Sequence, residues 1–421
     1  MRIRTLVLAA AAASGLLLGG CGKSTARPGV TEIELVQYKQ EAVETFRKLE
    51  EEFNATHDKI HLTIESPNDA TTILKTRFVR EDYPDIIGIG GDINYSNFID
   101  AELLADVSGY EGLKQVKSSY IDIIEGLEFV PTEGTYGVPY MANAAGVLYN
   151  RHIFEEHGWE IPSTWSEFMA LCEEIKAAGL QPLYFGYKDT WTTLAPWNAL
   201  AIDLAPADTC REVNAGNTTF SKNYREVADK IYQLLRYGEP GPFAYGYNDA
   251  CTAFAKGESV MYTIGSYAVP QILSVNPEMN IDSFVMPGAE TEEQQTLNSG
   301  VDLMFCVMEN CPDKAAAYEV LDFLLKHENM QAYVDEQNAV PCTEGEYELP
   351  SMLDGMKKYI AEGRMADFQD HQYPAEMAVD AQIQTYLING DAEAFLQKFD
   401  KDWVRYNRDI IRKVQAYNAS H

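Results

Sequence analysis

The chain has 421 residues, 46% of them hydrophobic, which is enough for two or three domains with sizeable cores. It carries 64 Asp and Glu against 33 Lys and Arg, a net charge of −31. So acidic a surface argues against nucleic acid and anionic lipid as partners and suits neutral or cationic ligands.

Residues 1–20 begin with Arg2 and Arg4 and continue as an apolar run from Leu6 to Leu18. A basic head, an apolar stretch of about a dozen residues and small residues before a cut mark a secretory signal. The run is shorter than the ~20 apolar residues that span a bilayer. Leu18-Gly19-Gly20-Cys21 resembles a bacterial lipobox. That resemblance implies cleavage before Cys21 and a lipid on its sulfur. An ordinary signal with an incidental Cys21 is the plainer alternative. The expected location is the outer face of the cell membrane, or the periplasm in a host with two membranes. Residues 21–30 are small and polar and read as a flexible tether.

The folded part opens with a strand around Ile33, Leu35 and Val36. Val43, Phe46, Leu49 and Phe53 then recur at helical spacing. Ile60, Leu62 and Ile64 alternate as a strand, and Asp85 to Ile89 reads as a short buried strand ending in Gly90-Gly91. Strands alternating with helices predict βαβ units and a mostly parallel sheet. The pattern restarts at Gly146 to Tyr149. Thr164 and Glu167 have the spacing of a capping box ahead of Phe168, Leu171, Cys172 and Ile175. Val260–Thr263, Phe284–Met286 and Val301–Val307 read as strands. Pro312-Asp313 opens a helix, and 353–421 is mainly helical with breaks at Gly363 and Tyr373-Pro374. The fold class is therefore α/β with two lobes. Ligands of such sheets sit beyond the carboxyl ends of the strands, so a cleft between the lobes would collect loops from both.

Besides Cys21 there are Cys172, Cys210, Cys251, Cys306, Cys311 and Cys342, in no CxxC pattern, which argues against zinc. Cys172 and Cys306 read as core. Cys311 with Cys342, or Cys210 with Cys251, stay open as disulfides. The chain lacks HExxH, GxSxG and GxxxxGK[ST]. Gly88-Ile89-Gly90-Gly91 fails GxGxxG because Ile93 stands last. With 64 acidic residues, a close carboxylate pair carries no information about glycoside hydrolysis. A glycosidase, and a metal- or polyamine-binding protein, are the rival readings from other classes. No enzyme activity, cofactor or metal is expected.

Four segments carry a family resemblance: Tyr136 to Tyr140 continuing through Val147–Asn150 to Pro162–Trp165; Phe254–Met261 with Gly265-Ser266-Tyr267; Met286-Pro287-Gly288 with Asp313–Ala317; and Pro84–Ile87. In this order the set resembles the extracellular solute-binding family of carbohydrate ABC transporters. The resemblance implies two lobes joined by crossings near 141–145, 290–300 and 345–350. It divides the chain into 31–141 and 296–347 for one lobe and 142–295 and 348–421 for the other. It also implies a monomer that delivers a neutral oligosaccharide to a membrane permease pair driven by a cytoplasmic ATPase. A fifth segment, Ala366 to Pro374 with Phe395-Leu396 and Asp402-Trp403, resembles the branch that binds raffinose, isomaltose-type and related sugars. The resemblance gives Phe368, Asp370 and His371 the role of gripping a terminal hexose; the ordinary reading is a capping Asp, a surface His and a core Phe.

Sugars present an apolar face for stacking and an edge of hydroxyls for hydrogen bonds. Trp191 and Trp197 flank a turn-rich loop and suit stacking, or else lobe core. Tyr267 stands where the family usually has Trp. Asn143 falls where maltose-binding protein has a sugar-contacting glutamate, which disfavours maltose. Lys39, with Gln37 and Tyr38, follows the first strand, and Asp92 and Asn94 follow Gly90-Gly91; both loops face the cleft in this family. Their plainer reading is solvated loop polarity. Asp302 is a further candidate at the start of an apolar strand.

Overall fold

The computed structural model describes residues 29–421. The signal segment, Cys21 and most of the tether lie outside the described residues. Among the described residues eleven strands are formed: β1 (Thr31–Gln37), β2 (Ile60–Glu65), β3 (Ile86–Ile89), β4 (Val138–Ala142), β5 (Val147–Asn150), β6 (Met261–Tyr262), β7 (Ile281–Phe284), β8 (Leu297–Asn298), β9 (Val301–Val307), β10 (Val340–Pro341) and β11 (Met365–Ala366).

A six-stranded sheet has the order β10-β4-β9-β3-β1-β2, and a three-stranded sheet the order β6-β5-β7. Strand β1 is parallel to β2 and β3, as the alternation of strands and helices predicts. The rest departs from a mostly parallel arrangement. β9 is antiparallel to β3 and β4, β10 to β4, and β5 to both its neighbours. The reason is topological: β9 enters from the other lobe instead of through a crossover helix, so it runs against the strands beside it.

The chain passes between the two sheets after β4, after β7 and after β10. At the passage Ala145 bridges both Gly265 and Asn298, and β8 pairs with β11. Several backbone links therefore tie the lobes where a cleft would hinge.

Local chemistry sets the elements. In the helix Val43–Thr56, Phe46, Leu49 and Phe53 face the core, but Val43 is exposed and Ala42, in the preceding turn, is buried instead. Thr164 and Glu167 form the capping box: the Thr164 hydroxyl accepts the Glu167 N–H at 3.2 Å, and the Glu167 carboxylate accepts the Thr164 N–H at 3.1 Å. Asp313 caps the helix Lys314–Leu324. Gly363, at φ +65°, ends the helix Lys357–Glu362 in the left-handed region where glycine is favoured. One core fills the six-stranded lobe and extends into Phe254, Tyr262 and Val285. A second packs around Trp197, Phe399 and Trp403. Phe129, from the segment preceding β4, joins this second core edge-on to Trp403 at 6.2 Å.

All six cysteines in the described residues are buried and free, so the disulfides Cys311–Cys342 and Cys210–Cys251 are not formed. No helix among the described residues is long and apolar enough to cross a membrane.

Candidate functional site

Strand direction collects the first half of the site. β1 and β3 are parallel, so the loops after Gln37 and Ile89 leave from the same edge of the sheet. β9 is antiparallel to β3, which brings its beginning, Val301-Asp302, to that edge. β4 is antiparallel to β9 with Ala142 opposite Val301, so Asn143 arrives there too. A cavity of about 90 Å³ results, lined by Tyr38, Thr71, Ile89, Gly90, Gly91, Asp92, Asn94, Asn143, Val301, Asp302 and His371. Asp92, Asn94, Asn143, Asp302 and His371, far apart in the sequence, share one space.

Lys39 is buried just behind this lining. Its Nζ lies 3.0 Å from Asp302 Oδ2 and 2.5 Å from Glu41 Oε1. Burial opposes the ammonium charge, but the carboxylates of Asp302 and Glu41 outweigh it and raise the pKa. Asp302 also takes a long 3.4 Å bond from Asn143 Nδ2, and its carbonyl accepts the Tyr38 O–H at 2.5 Å. Asp92 caps the helix Ile93–Asp100: its Oδ1 accepts the Asn94 N–H at 2.7 Å and the Asn94 side-chain amide at 2.8 Å. Asn143 Oδ1 is buried and unpaired, and thus free to accept a bond.

The other half comes from β11 and the turn Gln369–Gln372. β11 is pinned beside β8, which sets Asp367, Phe368, Asp370 and His371 against the interlobe passage. Gly300 makes this close approach feasible. A methyl group there would collide with Asp367 Oδ1 and stand 2.9 Å from Phe368 Cδ2 and 3.0 Å from His371 Cε1. His371 Nδ1 is 2.8 Å from Asp367 Oδ1, and the Phe368 ring lies 5.1 Å from the imidazole. Asp370 is held by Asn198 in both directions: Asn198 Nδ2 donates to Asp370 Oδ1 at 2.6 Å, and the Asp370 N–H donates to Asn198 Oδ1 at 3.2 Å.

Burial raises the Asp367 and Asp370 carboxyls, with His371 pulling both back. For His371 burial works against the charge, but Asp367, then Asp370 and Asp92, push its pKa up to about 10.

Trp191 is 40% exposed and lies 6.2 Å from Tyr267 and 4.9 Å from Tyr247, both half-buried, so the open ring of this cluster is that of Trp191. Trp197 corrects the expectation of a second stacking surface. It is fully buried against Tyr224, Phe395 and Phe399, and its indole N–H donates to Tyr373 Oη at 3.3 Å. It belongs to the lobe core because the helix Leu194–Leu204 turns that face inward. Phe395 and Trp403 of the fifth segment are core as well.

Sequence reasoning missed Asp367 and Asn198. The i, i+4 spacing of Asp367 and His371 was an available signal. Asn198 gave none, because its partner lies far away in the chain. No cluster of three His, Cys, Asp or Glu able to hold a metal occurs among the described residues.

Two lobes joined by crossing segments, with polar side chains from both meeting in a cavity at the junction, define a two-lobed binding protein. The chain belongs to the bacterial extracellular solute-binding protein family, whose model matches residues 37–331. That is a family of receptors, not of enzymes. The multiple sugar-binding protein of Streptococcus mutans is 29% identical over 349 residues, covering 79% of this chain and 80% of that protein. Among solved structures, apo RafE from Streptococcus pneumoniae is 25% identical with a TM-score of 0.79, covering 90% of this chain and 98% of its own. RafE in complex with raffinose is 26% identical with a TM-score of 0.74, covering 88% and 98%.

Proposed function

We propose that this protein is the substrate receptor of a carbohydrate ABC importer, capturing raffinose-type or other α-1,6-linked oligosaccharides in the interlobe cleft. Lobes assigned as 31–141 with 296–347 and 142–295 with 348–421 close on the sugar and present it to the permease. Cys21 carries the lipid that tethers the receptor to the membrane.

The observation that carries this reading is the chemistry of the cavity. Donors (Asn94, Asn143, His371) and acceptors (Asp92, Asp302) line one space, with Lys39 paired to Asp302 behind the lining, Asp370 on the same turn as His371, and the exposed ring of Trp191 packed near half-buried Tyr267. Each sugar hydroxyl both donates and accepts, so a mixed lining suits it, and a wrong epimer strands buried polar groups at a cost of about 1–3 kcal/mol each. In this reading Asp370, held by Asn198, accepts hydroxyls of a terminal hexose. The raffinose complex of the related RafE supports the same choice of ligand.

The test is isothermal titration of the mature chain lacking Cys21 with raffinose, panose, maltotriose and xylobiose. Saturable heat with raffinose or panose is expected. Binding of maltotriose or xylobiose alone would keep the receptor role and overturn the linkage. No heat from any of the four would overturn an oligosaccharide ligand of these classes.

A further inference from the structure

Asp367 stands apart from the groups that face the cavity. Its Oδ1 serves two donors, the Phe368 N–H at 2.8 Å and His371 Nδ1 at 2.8 Å. Its Oδ2 is buried without a partner. A buried carboxylate is costly unless a cation lies against it, and the ionisable group within hydrogen-bond reach of its Oδ1 is the His371 ring. With Nδ1 turned to Asp367 and the ring lining the cavity, Nε2 is the nitrogen left for a ligand. Gly300, packed under both side chains, holds this geometry fixed.

We propose that Asp367 is a positioning residue that keeps His371 doubly protonated, so that Nε2–H is a permanent donor and the ligand group opposite it must be an oxygen acting as acceptor. This rests on the cleft reading above and adds a specificity rule to it. The other charges facing His371 act in the same direction. Asp370 lies on its own turn, and Asp92 comes from the cap of the helix Ile93–Asp100. Asp302 lines the cavity from β9, where Lys39 neutralises it. Asp367 is the one of these in direct hydrogen-bond contact with the ring.

The experiment follows the His371 ring signal by NMR in the sugar-free mature chain, assigned with His371→Gln, alongside raffinose titrations from pH 5.5 to 8.5. In the wild type the ring stays protonated throughout and raffinose affinity is flat. In Asp367→Asn the ring titrates near the ordinary histidine value of about 6.5. Raffinose affinity in that variant falls about fivefold as pH rises through this range, the difference between a charged and a neutral donor. Asp367→Glu restores the flat profile. A wild-type ring that titrates near 6.5 overturns the proposal even if Asp367→Asn does not fold. So does an Asp367→Asn variant whose ring stays protonated. If raffinose fails to bind, the ring titration still decides the role of Asp367, and the loss falls on the ligand assignment alone.

Discussion

His371 holds a charge inside a partly closed cavity, and this has a consequence for stability. Its folded pKa, about 10, lies above the ordinary value of about 6.5. A raised histidine contributes stability that is complete below the unfolded value and is lost as pH rises through the folded one. The melting-temperature gap between wild type and His371→Gln should therefore narrow as pH rises from about 7 to 10; a gap constant over that range would contradict the ion pair. At this scale, the sequence supplied much of the cavity lining. Asp92, Asn94, Asn143 and His371 are each weak candidates alone and are singled out by the family resemblance, while Asp302 is a candidate only from its place at the start of an apolar strand. Trp197 misleads because a tryptophan beside a turn-rich loop reads alike whether it faces a cleft or a core. Asn198 was silent because its role exists only once the fold brings it to Asp370.

Secondary-structure elements carry the site through their directions and close approaches. Caps and periodicities were legible where the chemistry is local, as in Thr164 with Glu167 and the Phe46, Leu49 and Phe53 face. The sheet was less legible. Parallel pairing was predicted from strands that follow helices, whereas β9 and β4 acquire their neighbours only through chain passages between lobes. Gly300 is where element packing meets the site. Gly300→Ala should displace Asp367, Phe368 and His371 together, and overpacking of this kind costs about 1–3 kcal/mol. Raffinose affinity should drop about tenfold or more while the chain remains folded by circular dichroism. Unchanged affinity would show that the segment after β11 docks without this close contact.

The whole molecule works as two bodies tied at one junction. A ligand drives closure only to the extent that it binds the closed form more tightly than the open one. Raffinose should therefore compact the protein in small-angle scattering, and at about 100 times its Kd it should add about 2.7 kcal/mol to stability. Binding without compaction would contradict delivery by closure. The most direct test removes Asp370, the proposed acceptor for a terminal hexose. Raffinose titrated into wild type and Asp370→Ala should show saturable heat in the first and an affinity about tenfold or more lower in the second, the loss of hydrogen bonds to a charged acceptor. Equal affinity in a folded Asp370→Ala protein would place the sugar elsewhere and contradict the site.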